Sequence, residues 1–322
     1  MNGITVIICC YNSETRIIPT LQHLANQDFH LPFEIILVDN NCKDNTVSTA
    51  ENFWQIHGYS VPLHIARETT PGLSHARTKG TQEASFDLLI FCDDDNWLAP
   101  NYLRRAYEIM TLNSNIGILG GRSEAVTETA PPAWFESESP NYAVGSQSHT
   151  SGDVKDRLFV WGAGMVLRKW PLVFLLENGI STQLTDRKGN QLSSGGDGEV
   201  CAWYRAMGFE IHYHPDLFFK HFISSDRLTK DYIERLYQGF NEASGLILSY
   251  KKLLFPELRP ELRKRLSILK RSLISKLTGS QAPSTLEIEW ALPIVFLSNK
   301  SARRKALKQY RRIKELVERR VS

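Results

Sequence analysis

Short apolar runs alternate with segments of helical period through the first hundred residues, the pattern of repeated βα units that feed a parallel sheet. Residues 4–9 read as a buried strand, and Ser13 opens a helix carrying Ile17, Leu21 and Leu24 at helical spacing. Residues 33–38 predict a second strand, which runs into a polar cluster at 39–45 before a second helix over 46–54. A short strand over 63–66, a helix over 73–84 and a strand over 86–91 follow, the last ending in Asp93-Asp94-Asp95. In each unit the polar residues gather at the carboxyl end of the strand, where open α/β sheets bind ligands.

The pattern then loosens. Residues 117–121 predict another strand, and the Ser-, Pro- and Gly-rich stretch 122–156 is too long for a connector and reads as a lid or substrate-facing loop. Residues 158–167 return to the sheet. Residues 193–197 lead into a helix with Val200, Trp203, Tyr204 and Met207 on one face, stopped by Gly208. Residues 211–214 and 217–222 predict edge strands or extended segments. Beyond about 228 the character changes: 261–277 place Leu262, Leu266, Leu269, Leu273 and Leu277 on one stripe of a basic amphipathic helix. Residues 301–320 repeat the idea with Leu307, Tyr310, Ile313 and Val317.

Composition places the chain among ordinary globular proteins, with 322 residues, 42% hydrophobic and 23% charged. That length needs neither disulfide nor structural metal to hold a core. The five cysteines form no C-x-x-C pair and read as reduced and structural, which implies a cytoplasmic protein. The opening residues lack the basic start of a signal peptide. No apolar run reaches the roughly 18 to 20 residues that cross a bilayer. The net charge of +3 divides into +13 over residues 251–322 and −10 over 1–250. Without a recognisable nucleic-acid module, that basic tail predicts no nucleic-acid partner. It suits peripheral attachment to an anionic membrane surface, or packing of both stripes on the rest of the chain.

Candidate chemistry concentrates at Asp93-Asp94-Asp95. Three adjacent carboxylates repel unless a cation offsets them, and a hard divalent ion with oxygen ligands, Mn²⁺ or Mg²⁺, is the obvious one. Held by one or two carboxylates, such an ion keeps positions free for a nucleotide diphosphate. Capping of the helix that begins near Pro100 would account for one carboxylate, not three. No G-x-G-x-x-G or P-loop segment is present. A nucleotidyltransferase would carry a Gly-rich basic loop where Cys10-Tyr11-Asn12-Ser13 stands, and a D-x-D phosphatase would not have Asn96-Trp97 after its second aspartate.

Four blocks, Val6 through Glu14, Glu34 through Thr46, Gly72 through Arg77 and Phe91 through Asp95, with a fifth at Gly196-Asp197-Gly198-Glu199 followed by His221, resemble the family 2 glycosyltransferases. The resemblance covers roughly residues 3–225. It implies an α/β protein of the inverting GT-A type, a mostly parallel central sheet flanked by helices, followed by a basic helical C-terminal region. The catalytic domain would span 1–228, with a nucleotide-sugar half (1–121) and an acceptor half (122–228), and the extension 229–322.

By the same resemblance Tyr11 borders the uracil, beside Asn12, although Tyr11 could instead pack under the following helix. Asp39 hydrogen-bonds the base or caps the turn before Thr46, and Arg77 meets the nucleotide. Thr78 stands where the family usually has asparagine. Asp93 is expected to reach the ribose or a metal-bound water and Asp95 the metal, with Asp94 sharing either task and His221 helping hold the metal or pyrophosphate. Asp197 corresponds to the catalytic base, normally preceded by glutamate, whereas this chain has Gly196; Glu199 is a substitute. Trp161, Gly162 and Gly164 border the acceptor, and His212 and His214 are packed or solvated. The implied reaction moves a sugar, from a UDP-sugar, to a hydroxyl of a saccharide or lipid-linked acceptor. Such single additions serve cell-surface polysaccharide or glycolipid synthesis.

Overall fold

The computed structural model describes residues 2–184, 186–187, 192–258, 268, 271 and 300–321. The first half alternates β1 (Ile4–Cys10), α1 (Ile17–Ala25), β2 (Phe33–Asp39), α2 (Thr46–His57), β3 (Leu63–Arg67), α3 (Leu73–Glu83) and β4 (Leu88–Asp93). After β5 (Asn96–Leu98) and α4 (Tyr102–Leu112) come β6 (Ile116–Thr127), α5 (Phe135–Glu138), β7 (Gly152–Asp153), β8 (Met165–Arg168) and α6 (Lys169–Glu177). The chain closes with α7 (Gly196–Ala206), β9 (Glu210–Ile223), α8 (Lys230–Leu254) and α9 (Lys300–Val321).

The strands form one sheet in the order β3-β2-β1-β4-β8-β6-β9-β5, with β7 also paired to β9. Strands β1 to β4 are parallel, as their intervening helices require, and β8 inserts antiparallel between β4 and β6. Alternation along the strands divides the core in two. Val6, Ile8, Ile35, Leu37 and Ile90 meet Leu21, Trp54, Leu103 and Met110 of α1, α2 and α4 on one face. Ile7, Ile36, Val38, Leu89 and Phe91 meet α3, α6, α7, α8 and α9 on the other. Most of these side chains are fully buried, and each stabilises the fold by about 1.5–3 kcal/mol against its exposed state.

Four local expectations are corrected. Helix α1 opens at Ile17, because Ser13 N–H donates to Thr46 Oγ1 at 2.7 Å and residues 14–16 form a turn. Residues 122–127, expected in a loop, complete the twelve-residue β6, which pairs along β9. The two segments expected as edge strands form the single strand β9, which lies inside the sheet. Its register against β6 shifts between Gly120 and Arg122, beside Pro215, which has no N–H to give a ladder. A Cβ on Gly121 would lie 2.1 Å from Leu217 O, so glycine is what lets the strands meet there. Residues 158–164, expected in the sheet, leave it: Leu158 and Gly164 have φ of +79° and +68°, and only Met165–Arg168 is strand.

The tail is not detached. Ala302, Ala306 and Ile313 of α9 are buried in the core, with Tyr310 and Val317 packed beside them. Of the expected stripe, Leu307 stays half-buried while the alanines take its place. Gln309 Nε2 donates to Ser181 O at 2.6 Å, and Tyr250 Oη hydrogen-bonds Gln309 Oε1, so α8 and α9 brace the loop before α7. Most of the expected helix over 261–277 lies outside the described residues. No described helix is long and apolar enough to cross a membrane.

Candidate active site

A cavity of about 1000 Å³ opens over the carboxyl ends of β1, β2 and β4. Tyr11, Arg77, Asp93, Asp94, Asp95, Trp161, Gly162, Asp197 and His221 all line it, brought together from segments up to two hundred residues apart. Tyr11 is 44% exposed, so it offers a free ring face and does not pack under α1. Asn12 and Asp39 are not among the lining residues. Asn12, at φ +53°, accepts from Lys43 N–H through Oδ1 at 2.8 Å and joins the β1–α1 and β2–α2 loops. Asp39 accepts from Cys42 N–H at 2.8 Å and stands 3.4 Å from Arg67, which is the turn-holding arrangement. Its neighbour Asn40, passed over in the sequence, does line the cavity. It accepts from Gly72 N–H at 2.8 Å and donates to Thr70 O at 2.8 Å, fixing the entrance to α3.

Each of the three aspartates has its own side-chain cation. Asp93 lies 3.7 Å from Arg77, Asp94 takes Arg16 at 2.8 Å together with Ser13 Oγ, and Asp95 takes Arg227 at 2.8 Å. The mutual repulsion that pointed to a divalent ion is therefore already offset by the protein, a correction to that argument. Asp94 is occupied in tethering α1. Burial pushes the Asp93 acid up, against Arg77, while burial of Asp95 is overridden by His221 and Arg227, which hold it well below the usual carboxylate range.

The donor set still fits a divalent ion. Pairing of β5 with β9 sets His221 opposite Asn96 and brings its Nε2 within 3.4 Å of Asp95 Oδ1. The other ring nitrogen, Nδ1, is buried and has no partner among the described residues. Asp93 remains a third exposed beside them. Carboxylate oxygens suit Mn²⁺ or Mg²⁺, and an imidazole beside them favours Mn²⁺ of the two, although no group of three or more such ligands is assembled among the described residues.

Across the cavity, Asp197 sits in the first turn of α7, one residue inside the helix start, with Gly195 in the cap position. It accepts from Gly162 N–H at 2.9 Å and Gly198 N–H at 2.8 Å, which suits an anion at a helix N-terminus. A Cβ on Gly162 would meet Arg77 Nη2 at 2.5 Å, so glycine there leaves room for the guanidinium. His212 and His214 lie on β9 outside the cavity lining; His212 pairs with Glu210 at 2.8 Å. Besides Asn40, contributors that escaped the sequence reading include Arg16, Arg157, Arg227 and the α8 wall of Tyr232, Leu236, Phe240, Ala243 and Ile247. The arginines carry no local signal, since their partners are remote in sequence. The wall has one, an apolar spacing of four, four, three and four that follows the expected boundary at 228.

Glu199 is not the substitute base. It is fully buried outside the cavity lining, and its Oε2 accepts from Gln183 N–H at 2.7 Å and Leu184 N–H at 3.2 Å. Burial pushes its acid up to about 7, against an ordinary 4.5, despite those donors. The folded protein thus keeps a proton that the unfolded chain loses between those values. This contribution to stability is complete below the lower value and is lost as pH rises through the higher. Glu199→Gln should flatten stability between pH 4.5 and 7 by on the order of 3 kcal/mol, read from urea denaturation across that range. An unchanged slope would refute it.

A mostly parallel mixed sheet with helices on both faces and acidic strand ends over a cavity is the architecture of the GT-A fold. Residues 5–169 match the family model described as glycosyl transferase family 2, and the chain belongs to that family. A glucosyl-dolichyl phosphate glucuronosyltransferase of Haloferax volcanii is 22% identical over 245 residues, 74% of this chain and 76% of the relative. An uncharacterized glycosyltransferase of Haemophilus influenzae is 27% identical over 117 residues, 36% of this chain and 37% of that one; the chain thus spans little more than a third of that relative. Among solved structures, S. aureus TarS 1-349 in complex with UDP superposes with a TM-score of 0.53 at 16% identity, covering 98% of this chain and 91% of that one. A mannosyltransferase from Pyrobaculum calidifontis in complex with GDP-Man and Mn²⁺ gives 0.55 at 16% identity, over 98% and 85%. At those identities the likeness is one of fold.

Proposed function

We propose that the protein transfers a sugar from a nucleotide-sugar donor, a UDP-sugar, to a hydroxyl of a saccharide or lipid-linked acceptor with inversion at the anomeric carbon. The observation that carries this reading is one cavity with Tyr11, Arg77 and the Asp93–Asp95 ledge on one side and Asp197 on the other. Tyr11 stacks on the base, and Arg77 meets phosphate oxygens as a planar double donor. Asp197 removes the acceptor proton as that oxygen attacks the face opposite the leaving nucleotide, a role worth about 10²- to 10⁴-fold. Asp95, Asp93 and His221 would hold Mn²⁺ or Mg²⁺, which supplies charge stabilisation of the departing diphosphate.

The Haloferax volcanii relative, named for a glucosyl-dolichyl phosphate, supports a lipid-linked acceptor, as in glycolipid or polysaccharide synthesis. The apolar α8 wall favours an acceptor with a lipid portion. With the apolar stripe of α9 packed inward, its exposed Arg304, Lys305, Lys308 and Arg311 would hold an anionic cytoplasmic membrane surface by charge alone, a salt-sensitive attachment.

The test is release of nucleoside diphosphate from UDP-glucose, UDP-N-acetylglucosamine, UDP-galactose and GDP-mannose, each with Mn²⁺, Mg²⁺ or EDTA. Divalent-dependent consumption of a UDP-sugar is expected. Consumption of nucleoside triphosphate instead, with every nucleotide sugar left intact, would overturn the reading.

A further inference from the structure

The first turn of α7 has no side chain at Gly196, and the space is taken. A Cβ there would stand 2.0 Å from Oδ2 of Asp186 and 2.6 Å from its Cγ, so the Asp186 carboxylate fills the volume that any side chain at 196 would need. Its Oδ1 accepts from Gly196 N–H at 2.7 Å, satisfying one of the free donors at the helix start. Asp186 is 6% exposed and lines the same cavity as Asp197. Its φ of +51° is uncommon for aspartate and persists only where the surroundings enforce it.

Those surroundings come from three helices. Leu73 N–H of α3 donates to Arg187 O at 3.0 Å, Glu199 of α7 accepts from Gln183 and Leu184, and Arg187 Nη1 reaches Tyr232 Oη of α8 at 3.3 Å. The charges that act on Asp186 are those of Asp197, Arg77 and Arg187. Burial first, and then Asp197, push its acid up to about 6, while Arg77 opposes them. Capping a helix does not call for this. A serine or asparagine would satisfy Gly196 N–H without setting a second buried carboxylate beside Asp197, an arrangement that costs free energy.

We propose that Asp186 is a positioning residue for the glycosyl transfer: it ties the first turn of α7, and with it Asp197, to the Arg77 side of the cavity, and residue 196 is glycine to admit it. The inference rests on the function proposed for this site. Asp186 joins the two sides through the Gly196 N–H of α7 and, one residue on, through Arg187 O, which accepts from Leu73 N–H of α3, the helix that carries Arg77. Without it the start of α7 keeps the contact of Asp197 with Gly162 N–H and those of Glu199 with Gln183 and Leu184, none of which reaches Gly196, and a base displaced by even an ångström loses on the order of 10²-fold in rate.

The experiment compares wild type, Asp186→Ala, Gly196→Asp and the double variant, by turnover on whichever of the four nucleotide sugars named above wild type consumes and by calorimetric affinity for UDP. Asp186→Ala should lose about 10²-fold in kcat with UDP affinity unchanged. Gly196→Asp should also lose turnover, since two carboxylates then contend for one volume. The double variant, which returns a carboxylate to that volume from the other side, should exceed either single variant by about tenfold. A purely structural role would lower UDP affinity and melting temperature together and would not be relieved by moving the carboxylate. Wild-type kcat in Asp186→Ala, or a double variant no better than the singles, overturns the proposal while leaving the function standing. A wild type that consumes none of the donors overturns both.

Discussion

Asp197→Asn is expected to lower kcat about 10²- to 10⁴-fold while leaving nucleotide affinity and the fold intact. The carboxylate is held by the N–H groups of Gly162 and Gly198 at the start of α7, so it is oriented before any acceptor arrives. Asparagine keeps the size of the side chain and one accepting oxygen, but it cannot take a proton from an incoming hydroxyl. The helix and its neighbours lose little, because α7 is anchored by Trp203 and Tyr204, both fully buried in the core. Steady-state release of nucleoside diphosphate, with a melting curve beside it, checks the expectation; undiminished turnover would sink the assignment of the base.

Asp95→Asn should have an effect of similar size by a different route. Asp95 compensates Arg227 at 2.8 Å and stands 3.4 Å from His221, with only 3% of its side chain exposed. Neutralising it leaves the half-buried Arg227 guanidinium short of its partner, a smaller cost than the about 3–5 kcal/mol of breaking a fully buried pair. It also removes the anionic oxygen best placed for a divalent ion, so turnover should fall on the order of 10³-fold. The telling measurement is UDP affinity with and without manganese. Wild type should bind more tightly with the ion, and the variant should bind equally in both conditions. An undiminished manganese effect in the variant would remove Asp95 from the metal site.

Most of the donor side was legible in the sequence because it is local. Strand runs such as residues 4–9 and 33–38 end in polar clusters, and the topology of parallel βα units brings those clusters to one edge without further information. Asp93, Asp95 and Tyr11 reach the cavity for that reason, and Arg77 reaches it from within α3. Asp39 and Asn12 sit in the same clusters, yet their side chains turn to hold the loops, because a strand end must satisfy its own backbone as well as a ligand. The partners of Asp94 and Asp95 were not legible, since Arg16 and Arg227 lie 78 and 132 residues away from the carboxylates they meet. Asp186 was hidden for another reason: its meaning comes from the absence of a side chain at Gly196, and an absence carries no periodicity. The long stretch after residue 121 misled because β6 and β9 continue through glycine and proline, residues that usually mark a strand's end.

The hydrogen bonds that Gln309 makes to Tyr250 and to Ser181 have a temporal consequence. The loop at Ser181 is steadied by a residue 128 positions later, so in a nascent chain the parallel βα units are complete well before that loop is braced. Under the proposed function, the order of synthesis would put donor binding ahead of transfer, with α9 the last of the described elements to take its place.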